Sequence, residues 1–370
     1  MIVGGMFDVD PIRVEKAESQ KDFPLRFDTD HQYEKKVYTN NGRTATTYAI
    51  LYGMKLKKGD RLLVPEYNCI SVFNALEAVD VGFDVYKVKE GLVIDTEDLE
   101  KKITSETKGI YVIHYFGIPQ PEETVRRIKE LAEKYHLYIL EDLTQTVLSR
   151  GKNRIGFGDY VVMSTRKWYC MTDGGLVAAR KDRPLEMAKL PDGYDQAVYL
   201  QMAVALSRRN LTAGQQVEEY LKLEKNANKA RYLDMMPKKM TELSQNILFQ
   251  SDHEKSVEKR RKNYMYLWKN LQNIPGLSIW GPALDQDKDQ VPFGFQVVVE
   301  DREGFYKFLA LHGVIGEIQW LLPVQYYTPS SYAAYLGEHS LMLQCDQRYG
   351  EKEMAYTVQV IRQYFEKEQI

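Results

Sequence analysis

Short apolar runs alternate with helical patterns between residues 44 and 179. The apolar runs are four to seven residues long, as in buried strands. The stretches between them carry apolar residues three or four positions apart, as amphipathic helices do. The predicted strands are 61–65, 83–86, 109–115, 137–140, 159–163 and 176–179, and the predicted helices are 44–55, 71–79 and 122–135. This alternation predicts an α/β fold with a mostly parallel sheet and helices on both faces.

The pattern changes between about residues 184 and 271, where the chain becomes polar and helical, with lysine and glutamate interleaved. Beyond residue 276 a mixed pattern returns, with a strand at 294–299 and helices at 302–312 and 351–365. We therefore predict a large domain over residues 1–235 and a smaller α/β domain over 236–370, entered by a long helix. The charged run 255–262 is interpreted as the solvated face of a helix.

Composition and charge exclude several classes of protein. The 370 residues are 44% apolar and 28% charged, with a formal net charge of -2, which gives no reason to expect a nucleic-acid partner. The three cysteines are far apart, which favours a reducing compartment over a disulfide framework or a metal site. No basic leader and no apolar run of about 18 residues is found, so we expect a cytoplasmic protein without a membrane span.

Lys167 is the residue with the most informative surroundings. An isolated lysine is usually a surface charge, but this one lies between an apolar strand and a Trp-Tyr pair. Asp142 ends an earlier apolar run, and a Gly-Gly pair at 174–175 follows the lysine. This order is typical of enzymes that hold pyridoxal 5′-phosphate (PLP) as a Schiff base on a lysine.

Three further groups have candidate roles toward such a cofactor. The Asp142 carboxylate would raise the pKa of the pyridine nitrogen, unless it only caps its strand. Gln145 could contact the ring hydroxyl, and Ser164, three residues before Lys167, could reach the phosphate. After the substrate amine replaces it on the cofactor, the freed Lys167 amine could act as the general base.

A turn at residues 39–45 precedes the first predicted helix and is a candidate phosphate anchor. The backbone N–H groups of Arg43 and Thr44 would point outward at the helix N-terminus, and the Thr44 hydroxyl could assist. The alternative is an ordinary helix cap, for which an Asn-Gly turn before a threonine-rich helix is also typical.

Five segments in order resemble the DegT/DnrJ/EryC1/StrS family of sugar aminotransferases, which are PLP enzymes of fold type I. They are 59–65 (GDRLLVP), 111–117 (YVIHYFG), 141–145 (EDLTQ), 167–175 (KWYCMTDGG) and 260–264 (RRKNY). The similarity extends from about Gly42 to the C-terminus. It implies a homodimer, with active sites at the subunit interface, that moves an amino group from glutamate to a nucleotide-linked keto-sugar.

The resemblance also implies roles for individual residues. Lys167 would be the Schiff-base lysine, Asp142 the pyridine partner and Gln145 the ring-hydroxyl contact. The phosphate contacts would be Gly42, Arg43, Thr44 and Ser164. Where the family often stacks an aromatic side chain on the ring, this chain has Cys69, with Tyr67 as an alternative cover. The stretch 238–242 lacks the asparagine that reaches the neighbouring subunit's phosphate in the family.

Two residues are candidates for substrate binding. His114 lies in the strand that resembles the family, and Arg348 could bind the carboxylate of the amino donor in bidentate fashion, or else form a structural ion pair. Two other functions stay open. One is a PLP enzyme that does not transaminate, such as a lyase or desulfurase, and the other is a catalytically silent relative that acts as a binding protein.

Overall fold

The computed structural model describes residues 1–7, 22–151, 153–212, 215–232, 235–285, 287–320 and 324–367. Within these ranges the strands are β1 (Val3–Gly4), β2 (Tyr33–Thr39), β3 (Arg61–Pro65), β4 (Gly82–Tyr86), β5 (Val88–Lys89), β6 (Val93–Ile94), β7 (Thr107–Ile113), β8 (Tyr138–Asp142), β9 (Tyr160–Met163), β10 (Gly175–Arg180), β11 (Leu277–Trp280), β12 (Phe295–Val299), β13 (Val314–Ile315) and β14 (Ser340–Leu343).

The helices of the same ranges are α1 (Gly42–Tyr48), α2 (Ile70–Glu77), α3 (Thr96–Lys101), α4 (Glu122–Tyr135), α5 (Gln196–Arg209), α6 (Gln215–Arg231), α7 (Glu242–Gln250), α8 (His253–Leu271), α9 (Arg302–Leu311), α10 (Tyr332–His339) and α11 (Glu351–Lys367). A π-helical segment, Ala49–Met54, extends α1, and a 3-10 turn, Thr165–Lys167, follows β9. No helix among the described residues is long and apolar enough to cross a membrane.

The main sheet has seven strands in the order β2-β10-β9-β8-β7-β3-β4. The five strands from β9 to β4 are parallel, whereas β10 runs antiparallel to both of its neighbours, β9 and β2. The predicted α/β fold with a mostly parallel sheet is therefore confirmed. Strand β2 was not predicted, because its Glu34, Lys35 and Lys36 interrupt the apolar alternation at the sheet edge.

Alternate residues of the central strands enter different cores, as the two-residue period of a strand requires. In β7, Ile110 and Val112 pack with Val125 and Ile128 of α4. The residue between them, Tyr111, points to the other face and joins the larger core together with residues of α1. Tyr111 therefore lies on the same side of the sheet as the start of α1.

A second unit is built on the antiparallel sheet β11-β12-β14, which packs with α8, α9 and α11 around Phe295 and Phe305. Strand β1 pairs with β13, and Val3 enters this core, whereas Ile247 and Leu248 of α7 enter the larger one. The predicted domain boundary at residue 235 stays a prediction, and β1 and α7 pack across it.

The interpretation of residues 255–262 as a solvated face is wrong at Arg260. This side chain is 1% exposed, and its guanidinium donates to Gln347 Oε1 and to the carbonyls of Pro292 and Phe293. The guanidinium also lies over the Trp168 ring, 4.3 Å from the ring centroid. Because cation–π contact and three acceptors satisfy the buried cation, α8 is anchored beside the segment that carries Lys167.

A buried carboxylate fixes the loop that leads into β9. Glu141, the penultimate residue of β8, is 0% exposed, and its two oxygens accept four hydrogen bonds of 2.8–2.9 Å. The donors are the backbone N–H groups of Gly156, Phe157 and Gly158 and the Nε2 of His114. Charge-assisted bonds of this kind offset the cost of burying the carboxylate.

We predict that E141Q lowers the free energy of unfolding by about 2–4 kcal/mol, because an amide NH₂ would face N–H donors that now meet an oxygen. The matched control, E133Q on the exposed face of α4, should change it by less than about 0.5 kcal/mol. Urea denaturation of both variants measures the difference. Equal stability of the two variants would show that these hydrogen bonds do not hold the loop.

Candidate active site

A cavity of about 240 Å³ opens where β7, β8 and β9 end. The carboxyl ends of parallel strands meet at one edge of a sheet, which is where open α/β folds bind ligands. Residues predicted for the site that line this cavity are Gly42, Arg43, Cys69, Asp142, Gln145, Ser164 and Lys167. Three predicted residues, Thr44, Tyr67 and His114, are not among its lining residues, and Arg348 lines a neighbouring cavity instead.

Asp142 is oriented by two donors. Tyr111 Oη donates to Asp142 Oδ2 at 2.7 Å, and the Thr144 backbone N–H donates to Oδ1 at 2.7 Å. Burial, with the neighbouring Asp142 charge as a further cause, raises the pKa of Tyr111 well above its usual value, so the phenol stays protonated and remains a donor. The carboxylate is therefore held in one orientation at the cavity wall.

Lys167 ends the short turn that follows β9, and hydrogen bonds hold this turn both before and after the lysine. The Ser164 backbone N–H donates to Thr144 Oγ1 at 3.1 Å. Beyond the lysine, the indole N–H of the fully buried Trp168 donates to the Thr144 carbonyl at 2.7 Å. Because both contacts go to Thr144, two residues after Asp142, the turn of Lys167 and the end of β8 are fixed relative to each other.

The turn before α1 approaches the turn after β9 closely. A Cβ on Gly42 would lie 2.9 Å from Ser164 Cβ, so a larger residue at this position would push the two turns apart. Glycine is therefore required here by the close approach and not by its backbone conformation. Gly42 and Ser164 form adjacent parts of the same wall.

Thr44, predicted to contact the phosphate, lies inside the fold and not in the cavity wall, and the contact stays a prediction. Thr44 is fully buried; its backbone N–H donates to Asn41 Oδ1 at 3.1 Å, and its hydroxyl donates to Asn40 Oδ1 at 2.7 Å. Asn41 and Thr44 form a capping box, so both polar groups of the threonine are used inside the chain. The Asn-x-x-Thr spacing was the sequence signal for this cap.

Gln145 lines the cavity, but its amide is already oriented. Its Oε1 accepts from the Phe116 backbone N–H at 2.7 Å, and its Nε2 donates to Gln319 Oε1 at 3.0 Å. The side chain is 2% exposed. One amide hydrogen is left over, which is sufficient for a single contact to a ligand.

The aromatic side chain beside the cavity comes from a distant part of the chain. Tyr67, the predicted alternative cover, is fully buried; its hydroxyl donates to the Gln319 carbonyl, and its ring packs 5.2 Å from that of Trp320. Trp320 and Cys69 line the cavity, and Tyr67 supports Trp320 from behind. Tyr67 as the cover of the ring stays a prediction, and its phenol holds the segment that carries Trp320.

His114, predicted to contact the substrate, is fully buried and lines neither cavity, and the contact stays a prediction. Its Nδ1 accepts the Gln120 backbone N–H at 2.9 Å, so Nε2 carries the hydrogen and donates to Glu141 at 2.9 Å. Both ring nitrogens are therefore used inside the fold.

Arg348 was a candidate for binding the donor carboxylate or for a structural ion pair; the first role stays a prediction, and the second is present in the structure. Its Nε and one terminal nitrogen already hold both carboxylate oxygens of Asp346, at 2.9 and 2.8 Å, and the guanidinium also donates to the carbonyls of Gly5 and Met6. Burial lowers the pKa of Arg348, but Asp346 outweighs it and the pKa is raised overall. The alternative interpretation, a structural ion pair, describes this residue.

Arg348 lines a second cavity of about 200 Å³. This second cavity shares Arg166, Lys167, Asn228 and Glu317 with the first, so these four side chains form the common wall. Lys167 therefore lines both spaces.

The sequence pointed to none of the residues that α6 and the C-terminal unit bring to the site. Asn228 and Tyr232 come from the end of α6, and the Arg43 guanidinium lies 4.1 Å from the centroid of the Tyr232 ring. Tyr111 lies within one of the quoted motifs and Arg166 directly precedes another, but no spacing rule assigned either residue to the cavity. Only the packed structure joins these segments.

The residues of the first cavity fit PLP. The cofactor needs a cationic or N–H-rich site for phosphate, a carboxylate for its ring nitrogen and a lysine amine. Arg166 Nε and Asn68 Nδ2 are buried here without a hydrogen-bond partner among the described residues, as unfilled ligand contacts would be. Asp142 and Lys167 supply the other two groups.

Comparison with known proteins identifies relatives of the chain. The profile of the DegT/DnrJ/EryC1/StrS aminotransferase family matches residues 13–344. GDP-perosamine synthase of Escherichia coli O157:H7 is 29% identical over 162 residues, which span 42% of this chain and 43% of that protein. The match therefore covers less than half of the length of that relative.

Solved structures share the fold at lower identity. DesV from S. venezuelae aligns with a TM-score of 0.64 and 19% identity, over 99% of this chain and 91% of its own. NtdA from Bacillus subtilis, solved with bound cofactor PMP, aligns with a TM-score of 0.62 and 16% identity, over 90% and 74%. The chain therefore belongs to the DegT/DnrJ/EryC1/StrS aminotransferase family.

Proposed function

We propose that this aminotransferase moves the amino group of an amino acid, specifically glutamate, to a keto-sugar attached to a nucleotide. The observation that carries the proposal is that Lys167 and Asp142 line one cavity with Gly42, Arg43 and Ser164. A sugar acceptor is supported by the match to GDP-perosamine synthase, and the donor and the nucleotide by the resemblance of the motifs.

Lys167 has the role of moving protons in this proposal. Bound PLP supplies an aldehyde that condenses with amines and a ring that withdraws electrons from the substrate carbon. When its amine is free, Lys167 accepts a proton from that carbon and returns it at a different atom. Its position in the common wall of both cavities supports this role, because the residue lines the space on either side.

Asp142 has the role of holding a proton on the ring nitrogen. A carboxylate near a nitrogen base favours the protonated form of the base, and the effect is stronger away from water. Tyr111 acts as a positioning residue, because its hydroxyl fixes one carboxylate oxygen at 2.7 Å. Asp142 supplies the charge, and Tyr111 and Thr144 orient the carboxylate that carries it.

A homodimer in the cytoplasm is part of the proposal. Tyr199 and Leu206 are 59% and 53% exposed and lie seven residues apart on α5, hence on one face of the helix. Tyr194, 41% exposed, lies just before the helix and its ring is near that of Tyr199. Large exposed apolar side chains on one face are typical of a protein interface, and a second copy of the chain is the proposed occupant.

Transfer of labelled nitrogen tests the proposed reaction. With ¹⁵N-labelled L-glutamate and a panel of nucleotide-linked keto-sugars, we expect mass spectrometry to detect the label in one amino-sugar nucleotide, together with 2-oxoglutarate. K167A should abolish transfer, because no amine remains to move the proton, whereas K181A on the exposed strand end should retain it. Release of ammonia or sulfur without transfer would instead indicate a lyase or desulfurase.

A comparison of two variants tests the division of roles between Asp142 and Tyr111. D142N removes the charge, and we expect the rate of amino transfer to fall about 100-fold or more. Y111F keeps the charge and removes one hydrogen bond, so a loss of about tenfold or less is expected. Single-turnover rates measure both. A smaller loss in D142N than in Y111F would contradict the role of the carboxylate.

The exposed face of α5 that carries Tyr199 and Leu206 gives a prediction about dimer formation. L206E places a charge in the proposed interface, so we expect sedimentation to show a shift from dimer toward monomer at micromolar concentration. E133Q on the exposed face of α4 is the control and should leave the dimer intact. An L206E protein as dimeric as the unchanged chain, or an unchanged chain that is monomeric, would rule out this interface.

A further inference from the structure

Arg166 is a buried cation in the wall of the first cavity, and its guanidinium has no partner in the part of the chain that the structure describes. Its Nε is buried and makes no hydrogen bond, and no carboxylate of the described residues forms an ion pair with its guanidinium. The buried guanidinium groups of Arg260 and Arg348 differ, because each has several acceptors around it. Leaving such a group unpaired costs stability, so the site is built to receive an acceptor.

A second cation lies close to Arg166. Burial and then the charge of Arg43 lower the pKa of Arg166 to about 10, while Glu317 acts in the opposite direction without pairing with it. Burial also lowers the pKa of Arg43. Two guanidinium groups that repel each other in a partly dehydrated wall favour an anion between them.

The position of Arg166 indicates which anion fits. It lies two residues after Ser164, in the same 3-10 turn as Lys167, and Ser164 is in close approach to Gly42. Arg43 follows Gly42 directly. The two cations therefore come from the two turns that meet at this wall, and a dianion bound there would face both charges together with the Ser164 hydroxyl.

We propose that the Arg166 guanidinium, together with Arg43, binds the phosphate group of PLP. This rests on the proposed placement of the cofactor in the first cavity. A phosphate carries nearly two negative charges at neutral pH and accepts several hydrogen bonds, which two forked guanidinium groups satisfy better than one. Because Arg166 directly precedes Lys167, the same turn then fixes the phosphate and supplies the amine.

A rival position for the anion lies in the second cavity. Arg166 lines that space as well, beside Glu224, Glu317 and Arg348. There it would bind the carboxylate of the amino donor and not the cofactor. Glu317 lines both spaces and does not distinguish them. Arg348 is already paired with Asp346 and Glu224 adds a negative charge, so this space is less favourable to an anion than the wall shared with Arg43 and Ser164.

Binding of PLP and of pyridoxal, which lacks the phosphate, separates these possibilities. We expect R166Q to weaken PLP binding to the apoprotein by about 10- to 100-fold and to leave pyridoxal binding unchanged. R166K should lie between R166Q and the unchanged chain, because it retains charge but not the forked geometry. R126Q, on the exposed surface of α4, is the matched control and should change neither affinity.

Fluorescence titration of the apoprotein gives both affinities, and thermal unfolding of each variant verifies that it is folded. Unchanged PLP affinity in R166Q, or an equal loss for PLP and pyridoxal, would overturn the assignment to phosphate. Unchanged PLP affinity with a raised KM for glutamate would place Arg166 at the donor carboxylate instead. If the unchanged chain binds neither compound, the placement of the cofactor fails, and this assignment fails with it.

Discussion

The shared carboxyl edge of three parallel strands is the constraint on which the site depends. Because β7, β8 and β9 are neighbours in register, Tyr111, Asp142 and the turn of Lys167 are brought to one edge although 56 residues of chain separate the first from the last. Thr144 links the ends of β8 and β9 through hydrogen bonds to Ser164 and Trp168. The backbone ladder therefore sets the relative positions of acid and amine before any ligand binds.

Charge is distributed along this edge in a way that matches one cofactor. The Tyr111 phenol orients the carboxylate of Asp142 and does not neutralise its charge. The positive groups of Arg43 and Arg166 lie on the turns around Ser164. A molecule with a cationic ring at one end and a phosphate at the other fits both groups. Helix α6 and the C-terminal unit then close the space with neutral and aromatic side chains such as Tyr232 and Trp320.

Sequence patterns were sufficient to predict those structural features that depend on neighbouring residues along the chain. The apolar strands and α4 were predicted to within two or three residues, since burial on both faces imposes a continuous apolar run. Strand β2 was missed because an edge strand tolerates charges. The hydrogen-bond partners of His114 and Arg348, which are Glu141 and Asp346, are recognisable only after folding. Arg166 stood beside Lys167 in the sequence, but its lack of a partner is a property of the packed structure.

The central claim is that one cavity, built from the turns after β8 and β9 and the turn before α1, holds the cofactor. A crystal structure of the protein with PLP tests it most directly. The account predicts that Lys167 Nζ is bonded to the cofactor, that the ring nitrogen faces Asp142 and that the phosphate lies against Gly42, Ser164 and Arg166. A cofactor bound outside this cavity, or a ring nitrogen turned away from Asp142, would contradict it.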